Sequence, residues 1–399
     1  MGVRTTLYPD PFPYADYRRY TYSMGIASGD AIWVAGQLAD EYDVGLGRMV
    51  CRGNLVDQAR LAFEKVRLIL ESAGAGFQDI VHQVDYITPA AVKDYPGTLE
   101  IRHERFGDDL PATTTVVVNR LLREDSLIEV EVVAAPGPSP RQSFPAPPAP
   151  PGQLPTPRAV KKGGLLFITT PPLDAATGEV VGPTNVAGQT KAIFDIIGET
   201  LKVAGAAPSD IIRTIDYIAP SGLADYRETA EIRRGFFGGD PPAATGIIVE
   251  GLPRPGALLE VSAIVVIGGG DRQTYNPGWP RYDRLTYRPG ARKGDLLCLA
   301  GLTGADPISR SVAAGDLAAQ TRQIYDQAQA ILNSAGLSMK NVVKTVDYIT
   351  PEALPNYRDT VPIRKEFFGG DFPVATGVIV NRLLRPEYLI EVDFTAAVD

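Results

Sequence analysis

A six-residue segment, Val84-Asp85-Tyr86-Ile87-Thr88-Pro89, recurs as Ile215–Pro220 and again as Val346–Pro351, 131 residues apart each time. Other landmarks keep that step. Glu129, Glu260 and Glu391 sit in Ile-Glu-Val, Leu-Glu-Val and Ile-Glu-Val, and Arg102, Arg233 and Arg364 each follow an Ile. A fixed period of this kind means one folding unit written repeatedly. The 399 residues therefore divide into three copies, expected at 1–135, 158–267 and 283–399. Between them lie a Pro-rich linker at 136–157, expected to be extended and stiff, and a Gly-rich one at 268–282. Each copy is long enough to bury a core of its own.

Within a copy the patterning is regular. Ala31–Val34 reads as a strand, and Leu55, Ala59, Ala62, Phe63, Val66 and Leu70 fall at helical spacing. Asn54, Asn185 and Asp316 precede the three helices as N-caps, and Gly74, Gly205 and Gly336 follow them. The Asp-Tyr strand comes next and stops at its Pro. A second helix is expected over 95–106, 226–237 and 357–368, then two closing strands. The order strand, helix, strand, helix, strand, strand gives an α+β class, with two helices on one face of a mixed sheet. The other face must meet something, and three copies can pair those faces about a pseudo-threefold axis, leaving clefts between neighbours.

Composition narrows the partners. Net charge is −8, which removes the electrostatic case for nucleic acid or an anionic membrane. No apolar run is long enough for a membrane span. The two cysteines, Cys51 and Cys298, occupy non-equivalent positions, which fits a reducing, cytoplasmic setting. No repeated Ser-Lys dyad, His-rich cluster or phosphate-cradling Gly loop occurs. His82 aligns with Arg213 and Lys344, and His103 with Arg234 and Lys365, so both positions read as basic surface sites.

The element order, Gly36-Gln37 after the first strand and the ending Pro-Ala-x-x-x-Val…Leu…Ile-Glu-Val resemble the reactive-intermediate deaminase (RidA, YjgF-type) family, over all three copies. The resemblance implies a chorismate-mutase-like fold and a homotrimer fused into one chain. That chain acts as a monomeric pseudo-trimer, alone or further self-associated, with ligand clefts at the copy boundaries. It also implies a small-molecule substrate and neither cofactor nor metal. The family Arg that holds the substrate carboxylate falls at Thr113, Ala244 and Ala375, and the family Cys at Thr115, Gly246 and Gly377, so both are missing. The family Glu is kept as Glu129, Glu260 and Glu391. The family Tyr maps to Tyr22 and Tyr287 but to Pro157 in the second copy. The Ser-Gly turn maps to Ala35-Gly36, Thr170-Pro171 and Ala300-Gly301.

Two readings follow. In the first, the chain is an enzyme of hydrolase or deaminase type, acting on a compact polar metabolite with a C=N, C=C–N or carbonyl group. The three Glu are the general acid/base candidates. Tyr22, Gly36, Gln37, Thr113, Thr115, Tyr287 and Gly301 are candidates for holding substrate, as are Arg102, Arg233 and Arg364, whose alternative is an ion pair with Asp85, Asp216 and Asp347. The cleft furnished by Tyr22, Gly36, Gln37 and the Thr cluster is expected to be the most polar. In the second reading the chain binds a ligand or serves as a scaffold without chemistry, which the missing Arg favours.

Overall fold

The structure, a computed structural model, describes residues 4–147, 154–174 and 176–398. The first two copies are six-stranded mixed sheets; the third repeats the six strands and reaches eight with Leu302–Thr303 and with Arg120–Leu121 of the first copy. The last strand of each copy (Ile128–Ala134, Leu259–Val266, Ile390–Ala397) lies at the centre, antiparallel to the Asp-Tyr strand (Ile80–Ile87, Ile211–Ile218, Val342–Ile349). The Asp-Tyr strand pairs in parallel with the outer strand Ala112–Val117, Ala243–Ile248 or Val374–Ile379. A parallel pair needs a crossover, and the second helix supplies it.

The long helices are Leu55–Glu71, Val186–Ala204 and Leu317–Ser334. Asn54, Asn185 and Asp316 accept from Asp57 N, Gly188 N and Ala319 N, so all three N-termini are capped, each cap worth roughly 1 kcal/mol. The second helices begin as 3-10 turns and settle into α-helix over Leu99–Phe106, Thr229–Phe237 and Thr360–Phe368. Helices and sheet enclose one core per copy; Phe63, Val66, Ile69, Val130 and Val132 typify the first.

The two expected linkers are partly sheet. Arg141–Phe144 and Gln273–Tyr275 each add an outer strand to the copy that follows, as Thr5–Leu7 does in the first. The Pro-rich composition of 136–157 masked a four-residue strand, Arg141–Phe144, which is itself free of proline and fits between Pro140 and Pro145.

The helix-free faces meet around a pseudo-threefold axis. Val84, Tyr86, Val116, Tyr217, Ile247, Tyr348 and Val378 form one apolar cluster there. Trp33, Val81, Phe167, Ile212, Cys298 and Val343 form another, drawn from all three copies. Between them runs a buried polar belt. Lys344 pairs with Glu131 and Arg213 with Asp393, each across a boundary. At the third equivalent boundary the residues are His82 and Ser262. His82 is buried against Phe167, ring centroids 5.0 Å apart, and its pKa falls to about 3 because burial disfavours the cation. The expectation of a basic surface position is thus corrected: these residues line the axis. Position 82 can be a neutral histidine because position 262 is Ser, where the other copies have an acid.

The ring closes by repeating one contact. Arg120–Leu121 pairs with Ile379 and Val378, Val117 bridges to Gly251, and Ile248 bridges to Arg382. Each copy therefore touches both others, and three boundaries result: one–three, two–one and three–two. Among the described residues no helix is long and apolar enough to cross a membrane.

Candidate active site

The first strand, Ala31–Leu38, pairs with the last strand through a register shift between Val34 and Gln37. Ala35 and Gly36 occupy that bulge, and the extra residue lifts the chain away from its partner. The space is taken by Glu129, whose neighbours Ile128 and Val130 point to the helix side, so it points to the boundary. A Cβ on Gly36 would lie 2.0 Å from Glu129 Oε1 and 2.9 Å from Thr376 Cγ2 of the third copy. Gln58 fixes the approach to this strand: its Nε2 donates to Asp125 O (2.9 Å), and its Oε1 accepts from Leu127 N (2.8 Å). Gln189 and Gln320 repeat the bracket.

At boundary one–three a cavity of about 450 Å³ opens beside Glu129. Tyr22, Gly36 and Gln37 line it from the first copy, and Tyr357, Arg364, Ala375 and Gly377 from the third. Glu129 is 3% exposed, and its Oε2 has no hydrogen-bond partner among the described residues. Burial holds its carboxyl well above the usual carboxylate range, and the charges of Glu131 and Asp40 push the same way, against Arg123. That shift favours the neutral carboxyl, the form able to give a proton. Tyr22 stacks on Tyr20, ring centroids 5.1 Å apart.

The other two carboxyls stand differently. Glu260, at boundary two–one, accepts from Thr169 Oγ1 (3.0 Å) and lies 3.7 Å from Arg254. Burial raises its pKa as well. The free space beside it is about 20 Å³: the second copy lacks the bulge, Thr169 and Thr170 pairing in unbroken register with Ser262 and Val261, and Pro171 with Thr156 and Pro157 of the linker lines what is left. A neighbouring space of about 50 Å³ holds Tyr95, Thr115 and Leu154. Glu391, at boundary three–two, has an Oε2 without a partner, and burial raises its pKa to about 8. A Cβ on Gly301 would lie 2.1 Å from its Oε1 and 2.8 Å from Thr245 of the second copy. Tyr287 packs edge-on against Tyr282 (5.6 Å).

The structure separates two groups that were expected in one cleft. Tyr22, Gly36 and Gln37 face the third copy, whereas Thr113 and Thr115 face the second copy and Glu260. They lie on different strands of the first sheet, Ala31–Leu38 and the edge strand Ala112–Val117, separated by the last strand and the Asp-Tyr strand, and in a closed ring the two meet different neighbours. Thr115 Oγ1 is bonded to Tyr95 Oη (2.7 Å), and Thr113 Oγ1 donates to Pro111 O (3.1 Å).

The three arginines under the second helices are paired within their own copies. Arg102 binds Asp85 and Tyr95, Arg233 binds Asp216, and Arg364 binds Asp347 and Tyr357. Arg102 is fully buried; Arg364 reaches the wall of the large cavity.

Arg123 was not singled out from sequence. It shares Asp40 with Lys65, its Nε 3.1 Å from Asp40 Oδ2 and Lys65 Nζ 2.9 Å from Oδ1, and it lines the cavity beside Glu129. The signal was present: Arg123, Arg254 and Arg385 keep the 131-residue step. Among the described residues no group of three or more His, Cys, Asp or Glu is placed to hold a metal ion.

Comparison with known proteins agrees with this architecture. The family model described as endoribonuclease L-PSP matches residues 17–136, 149–267 and 283–398. A RutC family protein of Pyrococcus abyssi is 34% identical over 113 residues, 28% of this chain and 84% of that protein. A 2-iminobutanoate/2-iminopropanoate deaminase of Rattus norvegicus is 32% identical over 96 residues, 24% of this chain and 67% of that protein. The crystal structure of a chorismatase superposes with a TM-score of 0.51 at 15% identity, covering 80% of this chain and 93% of that one. At that identity it speaks for the fold alone, and it extends across the three-copy arrangement. With three matches spanning most of its length, the chain belongs to the endoribonuclease L-PSP (RidA/YjgF) family, as three tandem copies in one polypeptide.

Proposed function

We propose that this protein is a cofactor-independent enzyme of hydrolase or deaminase type, working on a small polar metabolite in the cavity between the first and third copies. The observation that carries the proposal is Glu129: a buried carboxyl, its pKa raised by that burial, with an unpartnered Oε2 on the wall of an open cavity. With a C=N substrate the Glu129 proton passes to nitrogen. Water then adds to carbon, and the glutamate left behind takes a proton from that water. Collapse of the adduct releases ammonia and a carbonyl compound. Arg123, which favours the carboxylate form of Glu129, steadies the ionised stage. The deaminase names of relatives fit such chemistry. The protein would act as a single-chain pseudo-trimer in a reducing compartment, where Cys51 and Cys298 stay free.

Glu129→Gln, Glu260→Gln and Glu391→Gln, made singly and assayed in a metabolite-turnover screen, test this. Loss of about a hundredfold or more is expected for Glu129→Gln alone, as for removal of a general acid. Equal turnover in all three variants rejects the mechanism. Ala375 and Gly377, in place of the family Arg and Cys, favour the second reading, a ligand-binding protein without chemistry. That reading predicts ligand binding with no turnover in the wild-type chain.

A further inference from the structure

The cavity between the first and third copies carries a local charge opposite to that of the chain. Of its cations, Arg364 is neutralised by Asp347 and Arg19 by Asp16 (2.7 Å). Lys65 and Arg123 share the single carboxylate of Asp40. Arg358 and Lys365, both exposed at the cavity wall, have no acidic partner among the described residues. Even with Glu129 counted as a carboxylate, Lys65, Arg123, Arg358 and Lys365 outnumber Asp40 and Glu129, a positive surplus in a protein of net charge −8. Such a field draws anions inward.

Arg123 is bonded to Asp40 through Nε alone; its two terminal nitrogens have no partner among the described residues, and its side chain is 40% exposed. On the third-copy wall of the cavity, Ala375 and Gly377 carry no donor side chain, and Arg358 and Lys365 stand exposed at the rim. The cavity also has stacked Tyr20 and Tyr22 on one side and Tyr357 on the other. At about 450 Å³ it is far roomier than a four-carbon acid requires.

The structure assigns the anion clamp of this site to Arg123, and we propose that the ligand is a ring-bearing carboxylate whose ring lies against Tyr20 and Tyr22. The proposal rests on the reading of this cavity as the working site. The clamp stands on the same copy as Glu129, not across the boundary. A planar guanidinium fork matches a carboxylate with two parallel hydrogen bonds.

Calorimetric titration of the full chain with three probes tests it: cyclohexanecarboxylate, cyclohexanemethanol, which keeps the ring without the charge, and propionate, which keeps the charge without the ring. The ring acid is expected to bind at least about tenfold more tightly than either, and to weaken as salt is raised. Arg123→Met should weaken it by about tenfold to a hundredfold. Arg123→Lys, which keeps charge and anchors Asp40 but lacks the fork, should recover part of that loss. Equal binding of the alcohol, tighter binding of propionate, or no change in the Arg123 variants overturns the assignment. Glu129→Gln separates the two readings. Retained binding with lost turnover supports both. Turnover by the wild-type chain without ring-acid binding leaves the enzyme proposal standing and rejects this one.

Discussion

Gly36 and Glu129 occupy one volume: the space where a side chain at position 36 would begin is filled by the Glu129 carboxyl, 2.0 Å from the ideal Cβ position. The glycine is required by a neighbour's side chain. Gly36→Ala should therefore displace the carboxyl from the cavity wall. Activity is expected to drop nearly as far as in Glu129→Gln, with a stability loss of roughly 1–3 kcal/mol from overpacking. Turnover and urea unfolding of the one variant check both halves.

Glu391 gives a pH signature. Its carboxyl keeps its proton to about pH 8 in the folded chain, whereas its ordinary value is 4.5. Between those values the folded chain holds a proton that the unfolded chain has released. The contribution to stability is thus fully present below about pH 4.5 and is lost as pH rises toward 8. Denaturant midpoints measured from pH 5 to 8 should fall for the wild type, and Glu391→Gln should flatten that slope.

The Arg102–Asp85 pair is fully enclosed. Breaking it from one side leaves a buried charge, so Arg102→Met should cost roughly 3–5 kcal/mol. The double variant Arg102→Met/Asp85→Asn should recover part of that loss. Urea unfolding of the single and double variants measures the coupling.

The belt around the axis makes a similar prediction between copies. Lys344→Met strands Glu131, which Thr376 Oγ1 still reaches at 2.6 Å. A loss of roughly 3–5 kcal/mol is expected. Adding Glu131→Ser, which copies the third boundary with its Ser262, should return much of it. A double-mutant cycle by thermal unfolding checks the sign.

The repeat was readable because every copy solves the same packing problem. The caps at Asn54, Asn185 and Asp316, the helices and the last-strand glutamates recur at a fixed step and needed no coordinates. The absence of the family Arg was equally plain from Thr113, Ala244 and Ala375. What stayed hidden was which edge meets which neighbour. Thr113 and Gly36 belong to one copy yet serve different boundaries, and nothing in their spacing says so. Arg123 keeps the same step as Arg102 does, yet its spacing does not say that it lines a cavity. Only its neighbours, an Asp40 hairpin on one side and open space on the other, distinguish it from Arg254, which closes over Glu260.

The sequence by itself determined three units of one α+β fold, each ending in a carboxylate-bearing strand, because local periodicity and caps are properties of short segments. Tertiary structure alone decided that the three boundaries differ. Pro171, Thr156 and Pro157 leave little room beside Glu260 at the second, while at the first Arg123 turns to Asp40 and a cavity stays open beside Glu129. That difference is one of volume and charge between segments far apart in the chain, which only closure of the ring brings together.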